Sequence, residues 1–151
     1  MERALIILKP DAVQRGLIGP ILSRLEQRGL RFQGLKLIQM TKDMACQHYA
    51  EHEGKSFFSG LISYITSAPV LVLVVIGKAG TVELVRAMVG STNPSKAAPG
   101  TIRGDFGLEI GRNLIHASDS PENGERETEI FFKPEELIGQ WDRATDTWIH
   151  E

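Results

Sequence analysis

Gly111-Arg112-Asn113-Leu114-Ile115-His116-Ala117-Ser118-Asp119-Ser120 is the stretch on which the organisation of the whole chain depends. Leu114 and Ile115 are typical of the apolar end of a strand. Ser120-Pro121-Glu122 then predicts a helix start, because it supplies a capping hydroxyl, a proline at the first helical position and an acid in the first turn. His116 therefore lies where a buried strand meets a helix N-terminus. Such a place favours phosphate chemistry, because the unpaired N–H groups and the dipole of the helix attract anions.

His116 is the candidate nucleophile. A histidine is nucleophilic only in its neutral form, with one ring nitrogen unprotonated and the N–H of the other held by an acceptor. Glu127, one or two turns into the predicted helix, is placed to supply that acceptor. The alternative is a core histidine that a neighbouring hydroxyl satisfies.

Composition indicates one ordinary globular domain over residues 1–151, with 42% hydrophobic and 24% charged residues. The formal charge of −2 and the pI near 6.1 give no overall attraction to nucleic acid or to an anionic membrane. A single cysteine excludes an intrachain disulfide and fits a reducing compartment. The longest apolar run, residues 68–76, is shorter than the roughly 20 residues of a membrane helix. We expect a cytoplasmic protein without a signal or transit peptide, because strand-like sequence begins at Ala4.

Apolar patterning indicates the strands and helices. Residues 4–8 and 70–76 are continuously apolar, which predicts strands buried on both faces, and residues 31–40 alternate through Leu35 and Leu37 as a half-buried strand does. Helices are predicted after Gly19-Pro20 as far as Gly29, from 43 to about 52, from 57 to 65, after a Thr81 cap as far as Gly90, and from Pro121. This alternation of strands and helices favours a parallel sheet.

Any phosphate site in this chain has to be built from side chains, because it contains neither G-x-x-x-x-G-K-[ST] nor G-x-G-x-x-G. Residues 91–112 show little periodicity, and so long a segment inside a compact domain is usually functional or disordered. We expect an ordered functional loop, because the segment carries Thr92, Thr101, Arg103 and Arg112.

His48 and His52 have the i, i+4 spacing of a metal pair on one helix. No third ligand is evident in the sequence, and no glutamate stands in the second position of H-E-x-x-H, as a zincin requires. Solvated or hydrogen-bonded histidines are therefore favoured over a metal site.

Four separate blocks, in the same order, resemble those of the nucleoside diphosphate kinases. Asn113-x-x-His116-Ala117-Ser118-Asp119 resembles the active-site signature of that family, and the other blocks are Lys9-Pro10-Asp11, Thr92-Asn93-Pro94 and residues 99–106. The resemblance covers essentially the whole chain. It implies an α+β fold of the ferredoxin-like β-α-β-β-α-β kind, with a four-stranded antiparallel sheet covered by helices. That expectation replaces the parallel sheet favoured by pattern alone.

The resemblance also implies the activity, which is reversible transfer of the terminal phosphate from a nucleoside triphosphate to a nucleoside diphosphate. The mechanism would be ping-pong, through a phosphohistidine on His116. The implied catalytic residues are His116, Glu127, Lys9 and Tyr49, with Ser118 as an orienting residue. The implied nucleotide-binding residues are Lys9, Phe57, Arg86, Thr92, Arg103, Ile110 and Asn113.

Mg²⁺ is expected to arrive with ATP or another nucleoside triphosphate, because the sequence shows no dedicated metal cluster. The expected partners are nucleoside di- and triphosphates and other copies of the chain, in a homohexamer or alternatively a homotetramer, without nucleic acid or membrane. Two other functions remain open: a catalytically silent oligomeric binding module, and a phosphohistidine carrier in a relay.

Overall fold

The computed structural model describes residues 1–151. Its four strands are β1 (Glu2–Leu8), β2 (Arg31–Ile38), β3 (Val70–Gly77) and β4 (Ile115–Ala117). The helices are α1 (Pro10–Gln14), α2 (Ile18–Gln27), α3 (Lys42–His48), α4 (Phe58–Ile65), α5 (Thr81–Val89), α6 (Ile102–Phe106), α7 (Pro121–Phe131) and α8 (Asp146–Ile149). Short 3₁₀ turns lie at Ala50–His52, Pro94–Lys96, Ile110–Arg112 and Pro134–Glu136. None of the helices is long and apolar enough to span a membrane.

The strands form one sheet in the order β2-β3-β1-β4, and every neighbouring pair is antiparallel. The ferredoxin-like sheet that the resemblance implied is therefore confirmed, and the parallel sheet favoured by pattern alone is wrong. The register places Ile7 of β1 opposite both Val72 of β3 and His116 of β4. The pairing of β4 with β1 thus fixes the position of His116 along the sheet edge.

Helices cover both faces of the sheet. Alternate residues of β1 and β3 belong to two separate buried clusters, one packed with α2 and α5 and the other with α4 and α7. This arrangement explains why both strands lack polar alternation although they are antiparallel. A continuous apolar run reports that both faces are covered and carries no information on strand direction.

The edge strand β2 is half-buried, but the leucines that the alternation predicted on its buried face are exposed. Leu35 and Leu37 are 45% and 58% exposed, whereas Gln33 is buried and accepts a hydrogen bond from the Arg3 guanidinium. A bulge between Phe32 and Gly34 shifts the pairing with β3. One extra residue reverses which face each later side chain occupies.

The start of α5 also differs from the prediction, in which Thr81 caps the helix. The cap position is Gly80, with φ of 92°, and the hydroxyl of Thr81 donates to the Lys78 carbonyl instead. The backbone N–H groups of Gly80 and Val82 donate to the carboxylate of Glu2, at 3.0 Å each. These hydrogen bonds lower the pKa of Glu2. A side chain from the first strand therefore caps a helix about 80 residues away.

Gly124 lies in α7 where this helix crosses β1. A Cβ atom at this position would collide with the carbonyl oxygen of Arg3, which belongs to the backbone and has little freedom to move. The glycine is therefore required for the close packing of α7 on the sheet, in spite of the roughly 1 kcal/mol that a glycine costs in a helix interior. Because α7 carries Glu127, this packing also sets the position of that carboxylate.

Gly124→Ala is predicted to lower the free energy of unfolding by about 1–3 kcal/mol, because overpacking outweighs the gain in helix propensity. Gly60→Ala in α4 is the matched control, since a methyl group at that position would have no atom within 4 Å. That variant is expected to gain up to about 1 kcal/mol. Urea unfolding of both variants measures the difference, and a Gly124→Ala variant at least as stable as the parent chain would contradict the account.

Candidate active site

The imidazole of His116 projects from β4 with its side chain 24% exposed. Its Nε2 atom lies 2.8 Å from Oε2 of Glu127, a residue of α7 that is almost completely buried. The contact is short, but it lacks the alignment of a full hydrogen bond. Nδ1 of His116 takes part in no hydrogen bond of the site and, unlike Nε2, is not a fully buried atom. The ring therefore has one nitrogen beside an acceptor and the other left for chemistry.

Ser118 fixes the other half of the Glu127 carboxylate. Its hydroxyl donates to Oε1 of Glu127 at 2.5 Å and accepts from the backbone N–H of Leu5 at 2.9 Å. Ser118 is itself completely buried. The carboxylate is thus tied to β1 and β4 through one hydroxyl, which leaves Oε2 directed at the histidine.

The backbone just before the histidine is strained. Leu114 has φ of 74°, a left-handed conformation that costs a leucine about 1–3 kcal/mol. The Leu114 N–H donates to the carboxylate of Asp11 at 3.0 Å, and the Leu114 carbonyl accepts from the N–H of Lys9 at 2.8 Å. The same Asp11 carboxylate accepts from the hydroxyl of Tyr64. Asp11 and Tyr64 therefore stabilise the turn that precedes His116. The sequence did not indicate this role, although Asp11 belongs to one of the four blocks that resemble the family.

Lys9 and Asn113 meet beside this turn. The Lys9 ammonium donates to Oδ1 of Asn113 at 2.8 Å, and the Asn113 amide donates to the carbonyl of Thr92 at 3.0 Å. Burial, followed by the nearby charge of Arg103, lowers the pKa of Lys9 to about 8. The ammonium is therefore charged at neutral pH but close to its titration.

Arg103 is buried and holds two other backbone segments, the end of α5 at Gly90 and residues 113–115. Its guanidinium donates to the carbonyls of Asn113, Gly90 and Ile115 at 3.2, 3.1 and 2.6 Å. Burial, with a contribution from Arg86, lowers its pKa to about 10, so the group remains charged at neutral pH. A guanidinium has five N–H donors, and two of these are left for a ligand.

The remaining predicted residues differ in their exposure to solvent. Arg86 is exposed and donates to the carbonyl of Ala117 at 3.3 Å, and the Thr92 side chain is also exposed. Phe57 and Ile110 are 50% and 59% exposed and lie outside the hydrogen-bonded groups described above. Burial and the Glu127 charge raise the pKa of Tyr49 to about 12, so its hydroxyl keeps its proton.

His48 and His52 do not form the i, i+4 pair. The α-helical conformation ends at His48 and a 3₁₀ turn follows, so the two residues do not lie on successive turns of one α-helix. His52 lies 3.1 Å from the Lys55 ammonium, whereas His48 is buried against His116 and Glu127. Ligand-type atoms of His48, His116 and Glu127 all lie within 4.8 Å of one another.

Comparison with known proteins identifies the family of the chain. The family model described as nucleoside diphosphate kinase matches residues 2–137. The chain belongs to the nucleoside diphosphate kinase family. The chain is therefore an enzyme of nucleotide phosphotransfer.

Individual relatives and solved structures agree over the full length. The nucleoside diphosphate kinase of Chloroflexus aurantiacus is 79% identical over 151 residues, which is 100% of both chains. A nucleoside diphosphate kinase family protein from Babesia bovis superposes with a TM-score of 0.95 at 44% identity, covering 99% of this chain and 100% of the other. The Halobacterium salinarum nucleoside diphosphate kinase, solved in complex with CDP, gives a TM-score of 0.94 at 49% identity and covers 99% of each chain.

Arg103→Lys is predicted to lower the free energy of unfolding by about 1–3 kcal/mol, because an ammonium cannot reach three carbonyls in the plane of a guanidinium fork. Arg28→Lys at the surface is the control and should stay within about 0.5 kcal/mol, since Arg28 is exposed and its side chain makes no hydrogen bond or ion pair. Equal effects in urea unfolding would show that the three backbone contacts contribute nothing.

Proposed function

We propose that this nucleoside diphosphate kinase transfers the terminal phosphate between nucleotides by a ping-pong mechanism through a phosphohistidine on His116. The observation that supports this proposal best is the difference between the two ring nitrogens of His116. Nε2 lies 2.8 Å from the Glu127 carboxylate, whereas Nδ1 makes no hydrogen bond. A neutral imidazole in that tautomer carries its proton on Nε2 and its lone pair on Nδ1. Nδ1 is then the nucleophile.

The first half-reaction moves the γ-phosphate from the nucleoside triphosphate to His116. The Nδ1 lone pair forms a bond to the γ-phosphorus while the bond from that phosphorus to the bridging oxygen breaks, and the electron pair leaves with the nucleoside diphosphate. The ring gains positive charge and keeps its Nε2 proton, which the Glu127 carboxylate stabilises. A second nucleoside diphosphate then reverses the step with its own terminal oxygen and leaves His116 neutral.

The surrounding residues would hold the nucleotide. We assign Arg86, Arg103 and Thr92 to the phosphates, because their donors suit oxyanions and offset charge during transfer. Lys9 and Asn113 are assigned to the sugar hydroxyls, and Tyr49 to hydrogen bonding beside the nucleophile. Phe57 and Ile110 present exposed apolar surfaces on which a base can stack.

Mg²⁺ fits the proposal as an ion carried by the nucleotide. The one cluster of three metal-ligand side chains consists of His48, His116 and Glu127. Two imidazoles make this a poor donor set for Mg²⁺, which prefers oxygen ligands in octahedral geometry. Magnesium on the phosphates would neutralise part of their charge.

His116→Ala is predicted to abolish both nucleotide exchange and the acid-labile phosphoenzyme formed from MgATP, because no other group replaces the nucleophile. Glu127→Gln should slow phosphoenzyme formation on the order of 10- to 100-fold without removing it, since the nucleophile remains but is less well oriented. Rapid quench with labelled ATP measures both. An active His116→Ala variant would remove the assignment, and an unlabelled but folded parent chain would point to the silent binding module.

The KM for nucleoside diphosphates is predicted to rise between pH 7 and 9. The pKa of Lys9 is lowered to about 8, so its ammonium loses its proton within this window and no longer donates to the nucleotide as a cation. Lys9→Arg is the control, because a guanidinium stays charged across the whole range. A steady-state profile with the same rise in both proteins would show that another group titrates.

We propose that the chain assembles as a homohexamer, with a homotetramer as the alternative. A hexamer needs two different self-contacts, and two separate exposed apolar regions support it: Leu35 and Leu37 on the edge strand β2, and Leu108 at 78% exposure in the 91–112 segment. Sedimentation is expected to give six copies, and Leu37→Glu to give smaller species. A monomer or dimer of the parent chain would contradict the assembly.

We propose that residues 1–151 form one domain. The Arg143 guanidinium donates to the carbonyls of Gly29 and Leu30, and Asp146 pairs with Arg31, so these contacts hold the last segment against the sheet and helices.

A cytoplasmic location is proposed because the proposed substrates, nucleoside triphosphates, are the cell's internal phosphate donors.

A further inference from the structure

His48 is a buried polar side chain that the mechanism above does not use. It is the last residue of α3 and is 3% exposed. Its ring stands perpendicular to that of His116 with centroids 4.5 Å apart, and it also contacts Phe131 at 5.6 Å. A histidine in such surroundings is expected to have a partner for each polar atom or a reason for lacking one.

The ring of His48 is neutral at every working pH. Burial is the main cause that lowers its pKa to about 2, and the nearby His116, Arg126, Lys9 and His52 act in the same direction. A neutral imidazole has one N–H donor and one lone pair. Which nitrogen carries the proton is therefore decided by what each nitrogen faces.

Nδ1 of His48 faces Glu127. It is buried, has no hydrogen-bond partner, and lies 3.6 Å from Oε2, the same oxygen that is 2.8 Å from Nε2 of His116. A lone pair on Nδ1 at this distance would be repelled by the carboxylate, whereas an N–H there is attracted. The carboxylate thus selects the tautomer of His48 with its proton on Nδ1.

We propose that His48 is a positioning residue: its neutral Nδ1–H is directed at Oε2 of Glu127 and holds that oxygen against Nε2 of His116. With Ser118 on Oε1, the carboxylate is then constrained on both oxygens. Because His48 is uncharged, it orients Glu127 without competing with His116 for the negative charge. The expected consequence is a larger population of the His116 tautomer with a free Nδ1, which rests on the proposed phosphohistidine mechanism.

The first test uses the unaltered protein and is independent of activity. Nitrogen-15 NMR of the histidine rings at pH 7 is expected to show His48 neutral with its proton on Nδ1, and His116 protonated on Nε2. A proton on Nε2 of His48 would overturn the proposal. If this NMR result holds while MgATP gives no phosphoenzyme, the proposed function fails and the positioning stands.

The second test uses three variants. His48→Leu removes the donor and is expected to slow phosphoenzyme formation about 10-fold or more and to shift the tautomer population of His116. His48→Asn places an amide nitrogen close to the original Nδ1 and should recover the rate to within about threefold, whereas His48→Gln places it near Nε2 and should not. The KM for nucleotides is expected to change less than the rate, because His48 is buried and acts through Glu127.

A packing role alone predicts something different. In that case the three variants would lose stability on thermal melting, and their rates and the His116 ring signals would match those of the parent chain. Equal rates in the Leu and Asn variants, with an unchanged tautomer population, would overturn the proposal. If His48→Leu does not fold, the Asn and Gln pair gives the same comparison at nearly constant polarity.

Discussion

The buried carboxylate of Glu127 is the group on which the rest of the site depends. Removing an ionised carboxylate from water costs several kcal/mol, and only well-placed donors offset that cost. Here the Ser118 hydroxyl donates to one oxygen, and the imidazole of His116 lies 2.8 Å from the other. Because Ser118 also accepts from Leu5, the contacts that satisfy the charge join β1, β4 and α7. The interaction that stabilises the carboxylate therefore also orients the His116 ring, and the close packing of Gly124 on β1 keeps the helix near enough for both.

Strain on the other side of His116 complements this arrangement. Leu114 is the only residue other than glycine with a positive φ, and it stands two residues before the histidine. Its N–H is held by Asp11 and its carbonyl by Lys9, while Arg103 holds the carbonyls of Asn113 and Ile115 on either side. Backbone strain of this kind persists only where the surroundings determine it from several directions. The cationic residues next to the histidine are thus fixed by the same contacts that maintain the turn.

Local signals in the sequence predicted much of the fold, and long-range contacts account for what it did not predict. The apolar runs of β1 and β3 and the Ser120 cap of α7 were visible because they depend on neighbouring residues. Pattern alone gave the wrong strand direction, since helices on both faces produce the same run in either case. The phase of β2 and the cap of α5 depended on a bulge and on Glu2, which no local signal reports. At the site, the spacing of Glu127 suggested an acceptor and the structure places it there, although its role stays a prediction. The spacing of His48 and His52 suggested a pair that the end of α3 separates.

The central claim is that Nδ1 of His116 carries the phosphate because Glu127 engages Nε2. The most direct measurement is NMR of the intact phosphoenzyme formed with MgATP, with phosphorus-31 and ring nitrogen-15 labels, followed by addition of GDP. The account predicts one phosphate per chain, bonded to Nδ1 of His116, and its complete transfer to GDP. Phosphate on Nε2, on another residue, or on a phosphoenzyme that does not transfer to GDP would contradict it.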